Sequence, residues 1–149
     1  MTRYFDEFEV GEIFKTEPIT LDAAEIIDFA VKLDPQPFHI DEQAAKASHF
    51  GGLIASGFHT MAAAFGQFLR LGLIADSGMG GPGLDEVRWP APVRAGDRLE
   101  TEVEVLEVRP SRSKPDRGII RWRFTVRNQE DKTVCTFTGV NFIKRRPAP

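Results

Sequence analysis

The segment from Leu33 to Ala45, LDPQPFHIDEQAA, decides how the first half of the chain folds. It carries an aspartate, Asp34, and a histidine, His39, five residues apart, with prolines at positions 35 and 37. Because the residue before a proline is disfavoured in the α region, a helix that reaches Asp34 is expected to end there. The proline-stiffened turn then holds a carboxylate and an imidazole close together. From these residues alone, a turn aspartate beside a packed imidazole is the favoured interpretation, and an acid–base pair is the alternative.

Helical periodicity surrounds this segment. Asp22 is expected to cap a helix that ends before the prolines, with Glu25 as its capping-box partner. A second short helix is expected to start at Asp41 and to cover residues 42–48, followed by a glycine-punctuated loop. The longest predicted helix covers residues 57–75, where apolar side chains recur at helical spacing among small residues. That composition is typical of a helix that lies close against a sheet.

Two-residue alternation dominates the rest of the chain. A first strand is expected at about residues 13–21, a short one at LDEVRW, and three long ones after residue 97. In DRLETEVEVLEV and GIIRWRFTVRN, apolar residues alternate with glutamates and arginines that are expected to pair across neighbouring strands. The order of elements indicates an α+β protein in which a curved antiparallel sheet wraps around the helix of residues 57–75. No repeat or linker divides the chain, so residues 1–149 are expected to form one domain.

The bulk composition argues against several classes of function. A net charge of −3 gives no electrostatic reason to expect nucleic acid or an anionic membrane as partner. No apolar run is long enough to span a membrane, and the first residues lack the apolar core of a signal peptide. The single cysteine, Cys135, is expected to fill the core, and a cytoplasmic location is expected. The three histidines lack metal-ligand spacing, so no metal site is predicted.

The segment around Asp34 and His39 resembles the active-site signature of the MaoC-like, or (R)-specific, enoyl-CoA hydratases, which have the hot-dog fold. That signature is an aromatic residue, then Asp-x-Asn-Pro-x-His-x-Asp, then alanines. Here it reads Phe29, then DPQPFHID, then Ala44 and Ala45. The stretches FEVGEIF, FGGLIASG and PVRAGDRLETEVEVLEVR also resemble parts of the family. The similarity therefore covers nearly the whole chain.

Three positions depart from the family pattern. Gln36 stands where Asn is usual, Leu33 where a Gly often precedes the aspartate, and Ser56 where a His commonly precedes the helix glycine. The resemblance implies that these positions shape the pocket around an acyl chain. The departures therefore bear on the choice of substrate, and they leave the Asp/His pair intact.

The resemblance implies a role for each candidate site residue. Asp34 and His39 would form the catalytic dyad that activates water, with the order of proton transfer left open. The backbone amide of Gly57, at the start of the long helix, would donate to the enolate oxygen of a thioester. The other candidates for binding the oxyanion or the substrate are Ser56, Phe58, Phe38 and Gln36, and Phe65 is a further apolar pocket candidate.

The implied activity is hydration or dehydration of an α,β-unsaturated or 3-hydroxyacyl thioester, with coenzyme A as part of the substrate and no other cofactor. One alternative is a hot-dog thioesterase, which usually needs a carboxylate on the central helix, and residues 57–75 contain none. Another is a non-catalytic acyl-binding partner subunit, which predicts a degraded Asp/His motif.

Partners other than the substrate are expected to be further copies of the chain. Hot-dog domains generally pair through their sheets, so a homodimer or a higher oligomer built from dimers is implied. The arginines Arg121, Arg123 and Arg127 are expected to form a solvated face of the sheet. Binding the phosphates of coenzyme A is the alternative role for these arginines.

Overall fold

A curved antiparallel sheet forms one layer of the protein, and a long helix packs against its apolar face. The computed structural model describes all residues from 1 to 149. After a 3-10 turn at Phe5–Glu7, the helices are α1 (Ala23–Leu33), α2 (Pro37–Ile40), α3 (Glu42–Ala47) and α4 (Gly57–Arg70). The strands are β1 (Ile13–Lys15), β2 (Ile19–Thr20), β3 (Gly83–Arg88), β4 (Arg98–Pro110), β5 (Arg117–Arg127) and β6 (Thr133–Lys144).

The strands are hydrogen-bonded in the order β1-β4-β5-β6-β3, and β2 pairs with another part of β4. The prediction of one continuous strand at residues 13–21 is therefore wrong. Phe14 of β1 lies opposite Val103, whereas Ile19 of β2 lies opposite Leu99. Pro18 falls between the two strands, and a proline has no N–H to donate to a strand partner.

The predicted alternation along β4 and β5 is confirmed, because one face of each strand is buried and the other is not. The buried residues are Leu99, Thr101, Val103 and Val105 on β4, and Ile120, Trp122, Phe124 and Val126 on β5. Side chains at successive positions of a strand point to opposite faces of the sheet. The glutamates and arginines between them therefore line the face that points away from α4.

The predicted Glu–Arg pairs form on this outer face, but not always with the residue directly opposite. Arg127 contacts Glu102 at 3.3 Å, although its register partner is Glu100. Arg123 lies opposite Glu104 but contacts Glu86 of β3 at 3.2 Å. Arg127 thus reaches a diagonal neighbour, whereas Arg123 reaches past β6 to β3. Exposed ion pairs gain little free energy from any one partner.

The helices follow their predicted starts more closely than their predicted ends. Asp22 caps α1 by accepting a hydrogen bond from the Glu25 amide, and Asp41 caps α3 in the same way through the amides of Gln43 and Ala44. The α4 helix ends at Arg70 rather than near Ala75.

A glycine explains this early end of α4. Gly72 has a φ of +78°, a left-handed conformation that ends a helix readily at glycine. Among the α-helices, α2 was not predicted: it is a single helical turn that begins at Pro37, a favoured residue for a first helical position.

The core forms where α4 meets the inner face of the sheet. Phe68 of α4 is fully buried, and its ring packs against Trp122 at 4.8 Å and Phe124 at 5.5 Å between ring centroids. Cys135 is also buried, as predicted, and burial raises the pKa of its thiol to about 12. None of the helices is both long and apolar enough to cross a membrane.

Replacing Phe68 by alanine tests this packing. Phe68→Ala removes a ring from the contact between α4 and the sheet, and we expect it to lower the free energy of unfolding by about 3–5 kcal/mol. Urea denaturation measures the change. Leu69→Ala is the matched control, since Leu69 is the next residue of the same helix but is exposed. Equal losses in the two variants would contradict the described packing.

Candidate active site

The junction between α1 and α2 brings Asp34 and His39 to the same side of the backbone. Asp34 is the C-cap of α1, and its amide donates to the carbonyl of Ala30 at 2.8 Å. The amide of Gln36 then donates to the Asp34 carbonyl at 2.7 Å, and the amide of His39 donates to the Gln36 carbonyl at 2.9 Å. The backbone from Asp34 to His39 therefore forms two tight turns, and the side chains of Asp34 and His39 face the same space.

The Asp34 carboxylate accepts hydrogen bonds from two neutral donors. Gln36 Nε2 donates to Oδ1 at 2.8 Å, and Ser56 Oγ donates to Oδ2 at 2.7 Å. Partial burial acts to raise the pKa of Asp34. The hydrogen bonds from Ser56 and Gln36, together with the nearby imidazole of His39, outweigh that effect and hold the pKa below its usual value. Asp34 is therefore ionised at neutral pH.

The His39 ring is buried, with 4% of its surface exposed, and its hydrogen bonding assigns its tautomer. Nδ1 lies 2.7 Å from the carbonyl oxygen of Ile54. Because a carbonyl oxygen can only accept, Nδ1 must carry the proton. In the neutral ring Nε2 is then the unprotonated nitrogen, and it lies 3.4 Å from Asp34 Oδ2. His39 Nε2 and Asp34 Oδ2 thus face each other across a short gap.

The start of α4 supplies the third part of the site. Ser56 is the N-cap, and its Oγ accepts from the amide of Phe58 at 3.2 Å. The Gly57 amide donates no hydrogen bond within the chain, as is usual for a first helical residue. A Cβ atom at Gly57 would overlap the indole ring of Trp89, so a larger residue does not fit there.

A cavity of about 500 Å³ connects these parts. Its lining includes six of the seven candidate site residues, namely Asp34, Gln36, Phe38, His39, Gly57 and Phe58. The seventh, Ser56, is fully buried behind the wall, where it contacts Asp34. Phe65 does not line this cavity; it borders a separate one of about 330 Å³.

Several residues of this cavity escaped the sequence analysis. They are Phe50, Ile54, Ala55, Thr60, Val134 and the run from Trp89 to Val93. The Ile54 carbonyl that orients His39 is a backbone group, so no residue type marks it. The run WPAPV did carry a signal, since two prolines beside a tryptophan indicate that the chain leaves the sheet there.

The other two histidines lie apart from Asp34. His59 stacks on Phe29 with ring centroids 4.5 Å apart, and burial lowers its pKa. His49 packs against Phe50. No three His, Cys, Asp or Glu side chains are grouped as metal ligands.

Comparison with known proteins places the chain in a family. Residues 7–126 match the model of the MaoC-like domain, and the chain belongs to that family. A MaoC-like dehydratase of known structure from Rhodospirillum rubrum is 39% identical, with a TM-score of 0.90 over 98% of this chain and 99% of that one. The predicted family and the hot-dog fold are thereby confirmed.

Two curated relatives give the range of similarity. The uncharacterized protein YdeM of Bacillus subtilis (strain 168) is 36% identical over 134 residues, which are 90% of this chain and 92% of that protein. A 3-hydroxybutyryl-CoA dehydratase of Methylorubrum extorquens is 33% identical over 116 residues, which are 73% of this chain and 68% of the dehydratase. The family therefore contains a protein named for dehydration of an acyl-CoA.

The lowered pKa of Asp34 predicts a specific dependence of stability on pH. Ionised Asp34 stabilises the folded state at any pH above the unfolded pKa of about 3.9, and this stabilisation is lost as the pH falls through the lower folded pKa. We therefore expect the stability advantage of wild type over Asp34→Asn to shrink as the pH falls below about 4, where Asp34 takes up its proton. Urea titrations of both proteins at several pH values measure it. An advantage that stays constant or grows below about pH 4 would contradict the described hydrogen bonding.

Proposed function

We propose that the protein hydrates α,β-unsaturated acyl thioesters, and dehydrates 3-hydroxyacyl thioesters in reverse. The observation that carries this proposal is the approach of His39 Nε2 to Asp34 Oδ2, at 3.4 Å beside an apolar cavity. A carboxylate is acceptor-only, and neutral His39 has its proton on Nδ1. Two acceptors this close need a donor, and one water molecule would donate a hydrogen to each.

The reaction would then proceed with the bound water as nucleophile. As the water oxygen bonds to the β-carbon, one of its protons passes to Asp34 or His39, and the π electrons of the double bond move toward the thioester carbonyl as an enolate. The Asp34/His39 pair then delivers one proton to the α-carbon. The thioester bond stays intact, and the step uses no cofactor beyond the coenzyme A that the substrate carries. Acid–base groups positioned in this way contribute about 10²–10⁴-fold.

The Gly57 amide is the proposed donor to the enolate oxygen. It is a free N–H at the start of a 14-residue helix, whose N-terminus carries a partial positive charge. Donors fixed before the reaction stabilise developing charge without reorganisation. Because α4 contains neither Asp nor Glu, it offers no carboxylate for thioester hydrolysis.

The cavity supports an acyl-CoA as the substrate class. Phe38, Phe50 and Phe58 provide apolar surface beside the Asp/His pair, as an acyl chain requires. The relative from Methylorubrum extorquens is named for a four-carbon acyl-CoA. A short chain on coenzyme A is therefore the first substrate to test.

The test is a spectrophotometric assay with a panel of trans-2-enoyl-CoA substrates. Loss of the conjugated thioester absorbance reports hydration, and a thiol reagent in parallel wells reports released coenzyme A. We expect absorbance loss without thiol release, and kcat/KM lower by about 10²–10⁴-fold in Asp34→Asn and in His39→Ala. Gln43→Ala is a control, since Gln43 lies on α3 outside the cavity lining. Thiol release in step with absorbance loss would favour a thioesterase, and activity that survives in both site variants would contradict the mechanism.

We further propose that a second copy of the chain pairs along β3. This strand lies at an edge of the sheet, so one of its sides has no strand partner. Leu84 on β3 is 45% exposed and Phe58 on α4 is 56% exposed, and both border the 330 Å³ cavity. Exposed apolar residues beside an open strand edge are typical of an interface.

Sedimentation equilibrium tests the dimer. We expect a mass of twice 16.7 kDa for wild type and a shift toward monomer in Leu84→Lys, because the new charge would be buried between the copies. Val31→Lys is the matched control, since Val31 is exposed on α1. A monomeric wild type, or equal effects of the two lysines, would contradict pairing along β3.

A further inference from the structure

Trp89 lies over the first residue of α4. It follows β3 and precedes Pro90, and 44% of its surface is exposed. Its Nε1 donates to the carbonyl of Gly57 at 3.0 Å, and its ring fills the space that a side chain at Gly57 would need. The ring also meets Phe58 edge to face, with centroids 5.8 Å apart. These three contacts hold the half-exposed indole in one orientation beside the start of α4.

The indole is the first donor in a continuous chain of hydrogen bonds that ends at Asp34. The Gly57 carbonyl that accepts from Trp89 belongs to the same peptide as the Phe58 amide. That amide donates to Ser56 Oγ at 3.2 Å, and Ser56 Oγ donates to Asp34 Oδ2 at 2.7 Å. Every bond points the same way, from the indole to the carboxylate.

We infer that Trp89 is a positioning residue for Asp34, acting through the Gly57–Phe58 peptide and the hydroxyl of Ser56. Hydrogen bonds in series polarise one another, so a donor at one end strengthens the bond at the other. The indole also fixes the peptide that orients the Ser56 hydroxyl. The effect of Trp89 on catalysis rests on the proposed function. The effect of Trp89 on the pKa of Asp34 does not depend on that function.

The surroundings of Asp34 contain few other groups that titrate. His39 on α2 is the ionisable side chain in contact with it, and Gln36 is a neutral donor. From α4, the ionisable side chain nearest in sequence is His59, which stacks on Phe29 of α1 instead. Ser56 is the donor that lowers the pKa of Asp34 most. A weaker Ser56 bond should therefore appear directly in the titration of Asp34.

The experiment is a carbon-13 NMR titration of the Asp34 carboxyl in the substrate-free protein, with Asp34→Asn to assign the signal. We expect Trp89→Phe, which keeps an aromatic ring but loses the N–H, to raise the pKa of Asp34, and Ser56→Ala to raise it more. In the Ser56→Ala background, Trp89→Phe should add nothing, because the chain is already cut. With an enoyl-CoA substrate, kcat should fall about two- to fivefold in Trp89→Phe, since a neighbour changes a hydrogen bond by on the order of 10–30%.

Phe58→Leu separates the N–H of Trp89 from the packing of its ring. This variant removes the edge-to-face contact but keeps every donor of the chain, so the pKa of Asp34 should match that of wild type. Emission of the buried Trp122 checks that Trp89→Phe remains folded. The inference is overturned if Trp89→Phe leaves the pKa of Asp34 unchanged, or if it shifts that pKa equally with and without Ser56. Failure of the proposed function would appear separately, as wild-type protein that hydrates no enoyl thioester.

Discussion

A buried hydroxyl joins the end of α1 to the start of α4. Ser56 Oγ donates to Asp34 and accepts from the Phe58 amide, so one side chain satisfies a carboxylate and a helix N-terminus together. A buried polar group left without its partner costs about 1–3 kcal/mol. The bond therefore fixes the distance between the carboxylate and the free Gly57 amide. The two halves of the proposed chemistry, water activation and enolate stabilisation, both depend on that distance.

The local features of this arrangement were predictable from the sequence. The prolines that flank Gln36 end α1 at Asp34, and the aspartates at positions 22 and 41 cap their helices, because these effects act over four residues or fewer. Alternation along β4 and β5 identified the inner face of the sheet. The family resemblance then supplied the overall fold, since it linked these local elements into one architecture.

The contacts that shape the site were less predictable, because they join distant parts of the chain. His39 is oriented by a carbonyl 15 residues away, and Asp34 by a hydroxyl 22 residues away. Trp89 reaches across 32 residues to Gly57. Ser56 was a departure from the family pattern and a binding candidate, but nothing in its neighbourhood indicated the bond to Asp34. Phe65 borders a cavity separate from the one beside Asp34, and the sequence did not indicate this because helical spacing gives the face of a residue but not the cavity beside it.

The measurement that tests the account most directly is nitrogen-15 NMR of the His39 ring, assigned by comparison with His39→Ala. The account requires a neutral ring with the proton on Nδ1, held by the Ile54 carbonyl, and an unprotonated Nε2 turned toward Asp34. It therefore predicts that the neutral ring shows the chemical shifts of the Nδ1–H tautomer. A proton on Nε2 in the neutral ring would contradict it, because Nε2 could then donate straight to Asp34 and no water would be needed between them.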